Sequence, residues 1–155
     1  MIIIKRKIIS FLCLVLACVF ICSCTSKKVE ITDKKLFYAA YPFELEDMQF
    51  SKSYTYGTEG TSGQPVLCMC SKEITDVNII GINSDSNGTL SAGDSLYSIE
   101  SLLPGEVIAL NILVPETTPN CGVSFKDGDG KEYCYAISQN GKTGGIVLID
   151  LNNKK

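Results

Sequence analysis

The 155-residue sequence contains no histidine and no tryptophan. Imidazole is the side chain that most readily carries protons and binds metals near neutral pH. Its absence excludes the Ser-His-Asp triad and the Cys-His pair as catalytic machinery. A hydrolase would have to use carboxylates or a Ser-Lys pair, and no two of the 17 acidic residues form a recognisable catalytic pair in the sequence.

Basic residues are scarce beyond the N-terminus. Lys5, Arg6 and Lys7 are three of the 14 basic residues, whereas all 17 acidic residues follow position 29. The chain from Cys24 onwards therefore has 11 basic and 17 acidic residues, a net charge of −6. Such a surface repels phosphate backbones, and no basic stripe with interleaved aromatics is present, so we expect no nucleic-acid partner.

The N-terminus has three zones typical of an export signal. Residues 1–7 are basic, and residues 8–22 form an apolar run that matches a signal-peptide core and is short for a bilayer span. The segment Ile21-Cys22-Ser23-Cys24 then resembles the lipobox of bacterial prolipoproteins, with an aliphatic residue three positions before Cys24 and a small residue directly before it.

This resemblance implies transfer of diacylglycerol to the Cys24 thiol, cleavage before Cys24 and acylation of the new N-terminus. Residues 1–23 would be the signal peptide, and residues 24–35 the lipidated cysteine with a polar tether. The lipid anchor makes a membrane the expected partner. By the same resemblance, Thr25 rather than an aspartate directly after Cys24 favours export to the outer membrane, if the host has one. The alternative is an uncleaved N-terminal anchor, which also leaves the remainder outside the cytoplasm.

Residues 36–152 are predicted to form one small, mostly β domain, an antiparallel sandwich. Short runs rich in Val, Ile, Tyr, Phe and Thr alternate with turn residues every eight to twelve positions. The turn Leu103–Glu106 resembles those of immunoglobulin-like and fibronectin-like sandwiches. Residues 94–103 could instead form a helical turn, because Leu96, Ile99 and Leu103 fall on one helical face. Strands are predicted near residues 36–41, 49–56, 65–71, 75–83, 106–114, 121–127, 131–138 and 145–151.

The best-defined local unit is a hairpin over residues 121–138. A three-residue loop, Gly128–Gly130, pairs Asp127 with Lys131 and aligns two apolar sets on one face. In this register Gly130 takes the left-handed conformation. The aligned sets are Cys121, Val123 and Phe125 with Tyr133, Tyr135 and Ile137.

Four cysteines, Cys68, Cys70, Cys121 and Cys134, follow the predicted lipidation site. An even number in an exported chain predicts one or two disulfides, first of all between Cys121 and either Cys68 or Cys70. Cys121 and Cys134 should point to opposite faces and not bond to each other. The alternatives are free buried thiols, a functional thiol, or soft-metal binding by Cys68-Met69-Cys70, although zinc sites prefer the spacing C-x-x-C.

Residues 83–94 resemble the calcium loop of EF-hands and dockerins. Asn83, Asp85, Asn87 and Asp94 take positions 1, 3, 5 and 12, and Gly88 takes position 6. The segment departs from that family in Asn at position 1, Asp in place of Glu at position 12, and a strand before the loop. The interpretation that we favour is therefore a polar loop between strands. The string Asp127-Gly128-Asp129-Gly130 is a weaker cation candidate and is typical of a turn.

Residues 136–143 match a relaxed phosphate-loop pattern. That loop requires a helix directly after it, and here Gly144, Gly145 and an apolar β run follow. We therefore predict a glycine-rich hairpin turn without a nucleotide site.

These observations predict a lipid-anchored envelope protein that faces away from the cytoplasm. The expected function is a non-catalytic binding module for an envelope or extracellular protein or a glycan. The alternatives are a metal-binding or thiol-redox lipoprotein, with calcium as the candidate cofactor, and an exported carboxylate-dependent hydrolase.

Overall fold

The computed structural model describes residues 35–45, 48–57, 65–114 and 118–152. The predicted signal peptide, Cys24 and nearly all of the tether lie outside these ranges. No helix among the described residues is long and apolar enough to cross a membrane. The elements are β1 (Phe37–Ala40), a short 3-10 turn (Pro42–Glu44), β2 (Lys52–Tyr56), β3 (Val66–Cys70), β4 (Ile74–Ser84), β5 (Leu90–Leu102), β6 (Glu106–Leu110), β7 (Cys121–Lys126), β8 (Glu132–Gln139) and β9 (Ile146–Asp150).

Two sheets form a sandwich, which confirms the predicted fold class. The four-stranded sheet has the order β1-β3-β6-β2, and the five-stranded sheet has the order β5-β4-β7-β8-β9. Among the described strand pairs only β2 and β6 are parallel. The strands β1-β3-β6 and β5-β4-β7-β8 follow the order A-B-E and C′-C-F-G of immunoglobulin-type sandwiches. Here β2 takes the place of strand D, and β9 is an added edge strand.

The core lies between the facing sides of the two sheets. Alternation along each strand sends one set of side chains inward, which is why one apolar cluster spans both sheets. Its most buried members include Val66, Ile74, Leu102, Ile108 and Val123, each with no exposed surface. A second, smaller cluster covers the outer side of the four-stranded sheet and consists of Tyr38, Ala40, Leu45 and Met69.

The hairpin of β7 and β8 has the predicted register. Phe125 pairs with Tyr133, and Val123 pairs with Tyr135. The backbone N–H of Asp127 donates to the carbonyl of Lys131 at 3.0 Å, and Gly130 has a φ of 77°. Both the three-residue loop and the left-handed glycine are therefore confirmed.

The structure corrects two predicted boundaries. Residues 90–102, for which no strand was predicted and part of which could have formed a helical turn, make the longest strand, β5. β5 pairs with β4 through two register shifts, and these interrupt the alternation that identifies a strand. The strand predicted over residues 106–114 ends at Leu110, and the chain leaves the sheet after Asn111, whose N–H still donates to the carbonyl of Tyr56.

The β4–β5 hairpin is bent by irregular pairing. The register shifts between Ile79 and Ile80 and again between Ile80 and Ile82, and such bulges increase the local twist and bend of a strand. Two glycines meet at the bend, where a Cβ on Gly93 would lie 3.0 Å from the carbonyl oxygen of Gly81. The outer part of this hairpin, residues 82–92, is hereafter called the arm.

Candidate functional site: a groove beneath the arm

The arm overhangs the outer face of the five-stranded sheet. β5 contacts β8, although β4 and β7 lie between them in the sheet order. Ile82 lies over Gly122 on β7, since a Cβ on that glycine would be 2.7 Å from Ile82 Cδ1. The space between the arm and the sheet forms a groove of about 770 Å³.

The groove is lined by residues from β4, β5, β7 and β8 and from the end of the chain after β9. Apolar surface comes from Leu90 and Ala92 on the arm and from Leu151 on the opposite side. Its charged lining residues are Asp76, Glu100, Lys126 and Glu132. Three carboxylates against one ammonium group make the groove acidic, like the chain from Cys24 onwards.

Asp76 is placed by a strained backbone. It has a φ of 51° and is the one described residue other than glycine with a positive φ. It lies where the β4–β7 register shifts between Thr75 and Asn78, and a bulge there re-aims its side chain. Unusual backbone conformations of this kind cluster at functional sites, which makes Asp76 a candidate site residue.

Lys126 joins two carboxylates across the groove. Its Nζ lies 2.9 Å from Asp76 Oδ2 and 3.7 Å from Glu132 Oε1. The hydrogen bond to Asp76 is the main reason why the pKa of Lys126 is raised. All three side chains are substantially exposed, so these contacts are screened by water and available to a ligand.

Next to the ion pair of Lys126 and Asp76 is a small polar network. The hydroxyl of Ser98 donates to Asn78 Oδ1 at 2.6 Å, and the hydroxyl of Ser95 donates to the same oxygen at 3.2 Å. Asn78 Nδ2 in turn donates to the carbonyl of Asp76 at 2.7 Å. This network holds the bulge and adds hydroxyl and amide groups to the groove wall.

Cys134 also lines the groove, on the side of β8 opposite the core. Cys121 is buried in the core, so the two cysteines do face opposite ways as predicted. Burial, with a smaller contribution from Asp150, raises the pKa of Cys134. Its thiol is therefore protonated at neutral pH and a poor nucleophile.

The predicted disulfide between Cys121 and Cys68 or Cys70 is absent, and all four described cysteines are free thiols. Cys68 and Cys121 face the same core from opposite sheets, at the strand positions that bear the inter-sheet bridge of immunoglobulin domains. Here both remain protonated thiols in an apolar setting. The thiol of Cys70 donates to the carbonyl of Leu102 at 3.3 Å.

The core thiols are protonated at neutral pH, which makes them poor nucleophiles and poor metal ligands. Burial raises the pKa of Cys70 to about 12 and that of Cys121 to about 11. Burial also raises the pKa of Cys68, and the nearby Cys121 adds to this effect. Met69 lies in the cluster on the other side of β3, so Cys68-Met69-Cys70 does not converge on one point. No group of three or more Cys, Asp or Glu residues in the described part of the chain could hold a metal ion.

The calcium-like segment is a hairpin tip. Asp85 Oδ1 accepts hydrogen bonds from the backbone N–H groups of Asn87 and Thr89, at 2.9 and 2.8 Å. The bond from Thr89 is the main cause of the lowered pKa of Asp85. Asn83 pairs with Ser91 across the hairpin, and Asp94 lies three residues beyond Ser91 along β5. The four predicted ligands Asn83, Asp85, Asn87 and Asp94 are therefore not brought together.

The loops at residues 85–89 and 127–131 have the same structure. In each loop the carboxylate of the first residue accepts two backbone N–H groups, and the fourth residue is a left-handed glycine. At Asp127, burial alone would raise the pKa, but hydrogen bonds from Lys131 N–H and the Tyr133 hydroxyl outweigh it and lower the pKa. Both cation candidates are therefore closed hairpin loops whose carboxylates are already bonded.

The phosphate-loop pattern is also a hairpin, as predicted. β8 ends at Gln139 and β9 begins at Ile146, without a helix between them. Asn140 Oδ1 accepts the N–H groups of Lys142 and Thr143, and Gly144 has a φ of 72°. Backbone amides that a phosphate loop would offer to a ligand are used within the turn.

Comparisons with protein-family models, with curated proteins and with solved structures gave no match for this chain. The groove is therefore the candidate site on geometric grounds. Sequence reasoning did not identify Asp76, Asn78, Lys126 or Glu132, because outward-facing polar residues on strands are normally solvated surface. The one signal that could have marked them is the break in alternation at Thr75-Asp76, where two polar residues follow each other in β4.

Proposed function

We propose that this protein is a lipid-anchored component of the bacterial cell envelope. Its sandwich would bind an extended polypeptide segment in the groove beneath the arm, without catalysis. The observation that carries the proposal is the strained Asp76 at the bulge, with its carboxylate on Lys126 in a groove of about 770 Å³. Grooves of this size with a few placed polar groups are typical of binding sites.

The charge of the groove supports the choice of ligand. Three carboxylates exceed one ammonium group, and hydroxyl and amide groups complete the wall. A segment with Lys or Arg side chains would complement this acidic lining, and its apolar residues would pack on Leu90 and Leu151. The bound segment would belong to another envelope or extracellular protein.

We propose binding without catalysis because of the side chains that the chain and the groove offer. The sequence offers no imidazole, and the groove thiol of Cys134 has a raised pKa. The groove therefore offers neither an imidazole as general base nor an activated thiol as nucleophile.

Site-specific photo-cross-linking in intact cells tests the groove. A benzoylphenylalanine at Leu90 should give a protein adduct, whereas the same residue at the exposed Thr55, on the other sheet, should give none. The variant Ala92→Arg should abolish the Leu90 adduct because the new side chain fills the groove with positive charge, and Thr55→Arg should leave it intact. Absence of a Leu90 adduct, or its persistence in Ala92→Arg, would contradict the proposal.

Labelling with an alkyne analogue of palmitate tests the anchor. The full chain should incorporate the label, and Cys24→Ser should lose it and accumulate as the longer precursor. Cys22→Ser is the matched control, because it removes a thiol two residues away and leaves the proposed acceptor intact. Label retained in Cys24→Ser would show that the anchor assignment is wrong.

A further inference from the structure

β9 is an open edge of the five-stranded sheet. It pairs with β8 along its whole length, from Tyr135 with Asp150 to Gln139 with Ile146. No other described strand pairs with it. The backbone groups along such an edge form a template for one more strand.

The composition of β9 does not protect this edge. The strand reads Ile-Val-Leu-Ile-Asp and has no lysine, no proline and no register shift. Val147 and Ile149 point to the outer face, where 39% and 37% of their surfaces are exposed. Edge strands of monomeric proteins normally carry charges, prolines or bulges that prevent pairing.

The other three edge strands are β5, β2 and β1, and each has a feature that hinders pairing with a further strand. β5 has two register shifts and is rich in serine, with Asp94 and Glu100 in its sequence. β2 begins with Lys52, and β1 has only four residues. Among these edges, β9 combines exposed apolar side chains with a single charge, Asp150 at its end.

A cleft lies beside the inner side of this edge. It has a volume of about 660 Å³ and separates β9 from β1, the edge strand of the other sheet. Tyr133, Tyr135, Ile146 and Leu148 contribute to its lining. A strand added to β9 would place its inward side chains in this cleft, so both sides of an added strand would find apolar surface.

We propose that a second copy of this chain pairs with β9 through its own β9, antiparallel and about a two-fold axis at Leu148. This register sets Val147 of each copy opposite Ile149 of the other, so the exposed apolar residues cover each other. Asp150 is then opposite Ile146 of the other copy, and the two carboxylates lie at opposite ends of the strand pair. Parallel pairing would bring these like charges side by side, which disfavours it.

The size of the interface indicates a weak dimer. A five-residue strand pair with its cleft buries less than the roughly 800 Å² per partner of a standard stable interface. Dimerisation should therefore depend on concentration in solution. The inference does not depend on the groove or on the lipid anchor, so it can fail while the proposed function stands.

Light scattering on the full-length chain in detergent tests the dimer. The mass should rise from one copy towards two between about 2 and 200 µM, a range that corresponds to weak association. The double variant V147K/I149K should remain monomeric, and L96K should dimerise like the unchanged chain, because Leu96 is similarly exposed on the opposite edge strand. A monomer at all concentrations, or a dimer that persists in V147K/I149K, would overturn the proposal.

Cysteine cross-linking tests the register without disrupting the edge. In a Cys134→Ser background, a V147C chain and an I149C chain with tags of different size are produced together and oxidised in the membrane. The mixed disulfide should form, because directly opposed strand residues are within bonding reach. The pairs V147C–V147C and I149C–I149C should form several-fold less, and equal yields of all three products would overturn this register.

Discussion

Replacing Phe125 by alanine should lower the free energy of unfolding by about 3–5 kcal/mol, the range measured for loss of a buried phenylalanine. Phe125 lies on the central strand β7 and is 2% exposed. Its ring centroid is 5.2 Å from that of Phe37 on the other sheet and 5.2 Å from that of Tyr133 on β8. The substitution would leave a cavity where the two sheets meet. Urea titration followed by circular dichroism or tyrosine fluorescence measures the change.

Phe43→Ala is the matched control for this prediction. It makes the same chemical change at a side chain that is 53% exposed, and it should cost less than about 1 kcal/mol. If Phe125→Ala fails to fold, Phe125→Leu should still fold with a smaller loss. Equal losses for the phenylalanines at positions 125 and 43 would show that the aromatic cluster does not hold the sheets together.

Gly122→Ala is expected to destabilise the chain by about 3 kcal/mol, at the upper end of typical overpacking costs. A Cβ at this position would lie 2.4 Å from the carbonyl oxygen of Tyr135 and 2.7 Å from Ile82 Cδ1. The first atom belongs to the backbone of β8 and cannot move without breaking the pairing of β7 with β8. The second belongs to the arm, so the substitution also pushes the arm away from the sheet.

Gly128→Ala provides the comparison, because a Cβ there meets nothing within 4 Å and the residue has no positive φ. The free energy of unfolding of the Gly128→Ala variant should change little or rise by a few tenths of a kcal/mol. Thermal melting of both variants gives the two values. The double variant Gly122→Ala with Ile82→Ala should recover only the part of the loss that comes from the arm. Full recovery would show that the backbone contact with Tyr135 is unimportant.

The parts of the fold that follow from local chemistry were predictable. The register of β7 with β8 followed from the requirement that the apolar residues of the two strands share a face, which sets Phe125 opposite Tyr133. The loop from Asp127 to Lys131 and the left-handed Gly130 came with that register. The turn after Gln139 was predictable for a similar reason, since Gly144 and Gly145 leave no room for a helix.

Similar local patterns can form different structures, and here sequence reasoning missed a strand and left a calcium loop open as an alternative. Leu96, Ile99 and Leu103 have helical spacing, yet tertiary pairing with β4 makes residues 90–102 a strand. Asp85 and Gly88 fit a calcium loop, but the same two residue types at the same spacing close the loop that starts at Asp127. Recognising that Asp85 and Gly88 repeat the Asp-x-x-Gly pattern of the predicted Asp127 loop would have identified the β4–β5 hairpin as well.

The candidate site could not be predicted from the sequence, because it is created by the bulge in β4 and by the bend of the β4–β5 hairpin. Asp76 and Lys126 are 50 residues apart and meet only when β4 and β7 pair with a bulge between them. Leu90 and Leu151 share the groove only because the arm folds back over the sheet. The predicted disulfide illustrates a related limit, since the sequence indicated which cysteines would face the core but not their oxidation state.

The two sheets differ in how far apart in the chain their paired strands lie, and this has a consequence for the order of folding. Three of the four pairs in the five-stranded sheet join strands that are consecutive in the chain, whereas no pair in the four-stranded sheet does. The parallel pair sets Tyr54 against Ile108, so its closure has the largest entropic cost. We expect the hairpins to form early and β2 to join last. During synthesis or export, β2 must therefore stay unpaired until residues 106–110 have emerged, which makes it the segment most exposed to mispairing before the sandwich closes.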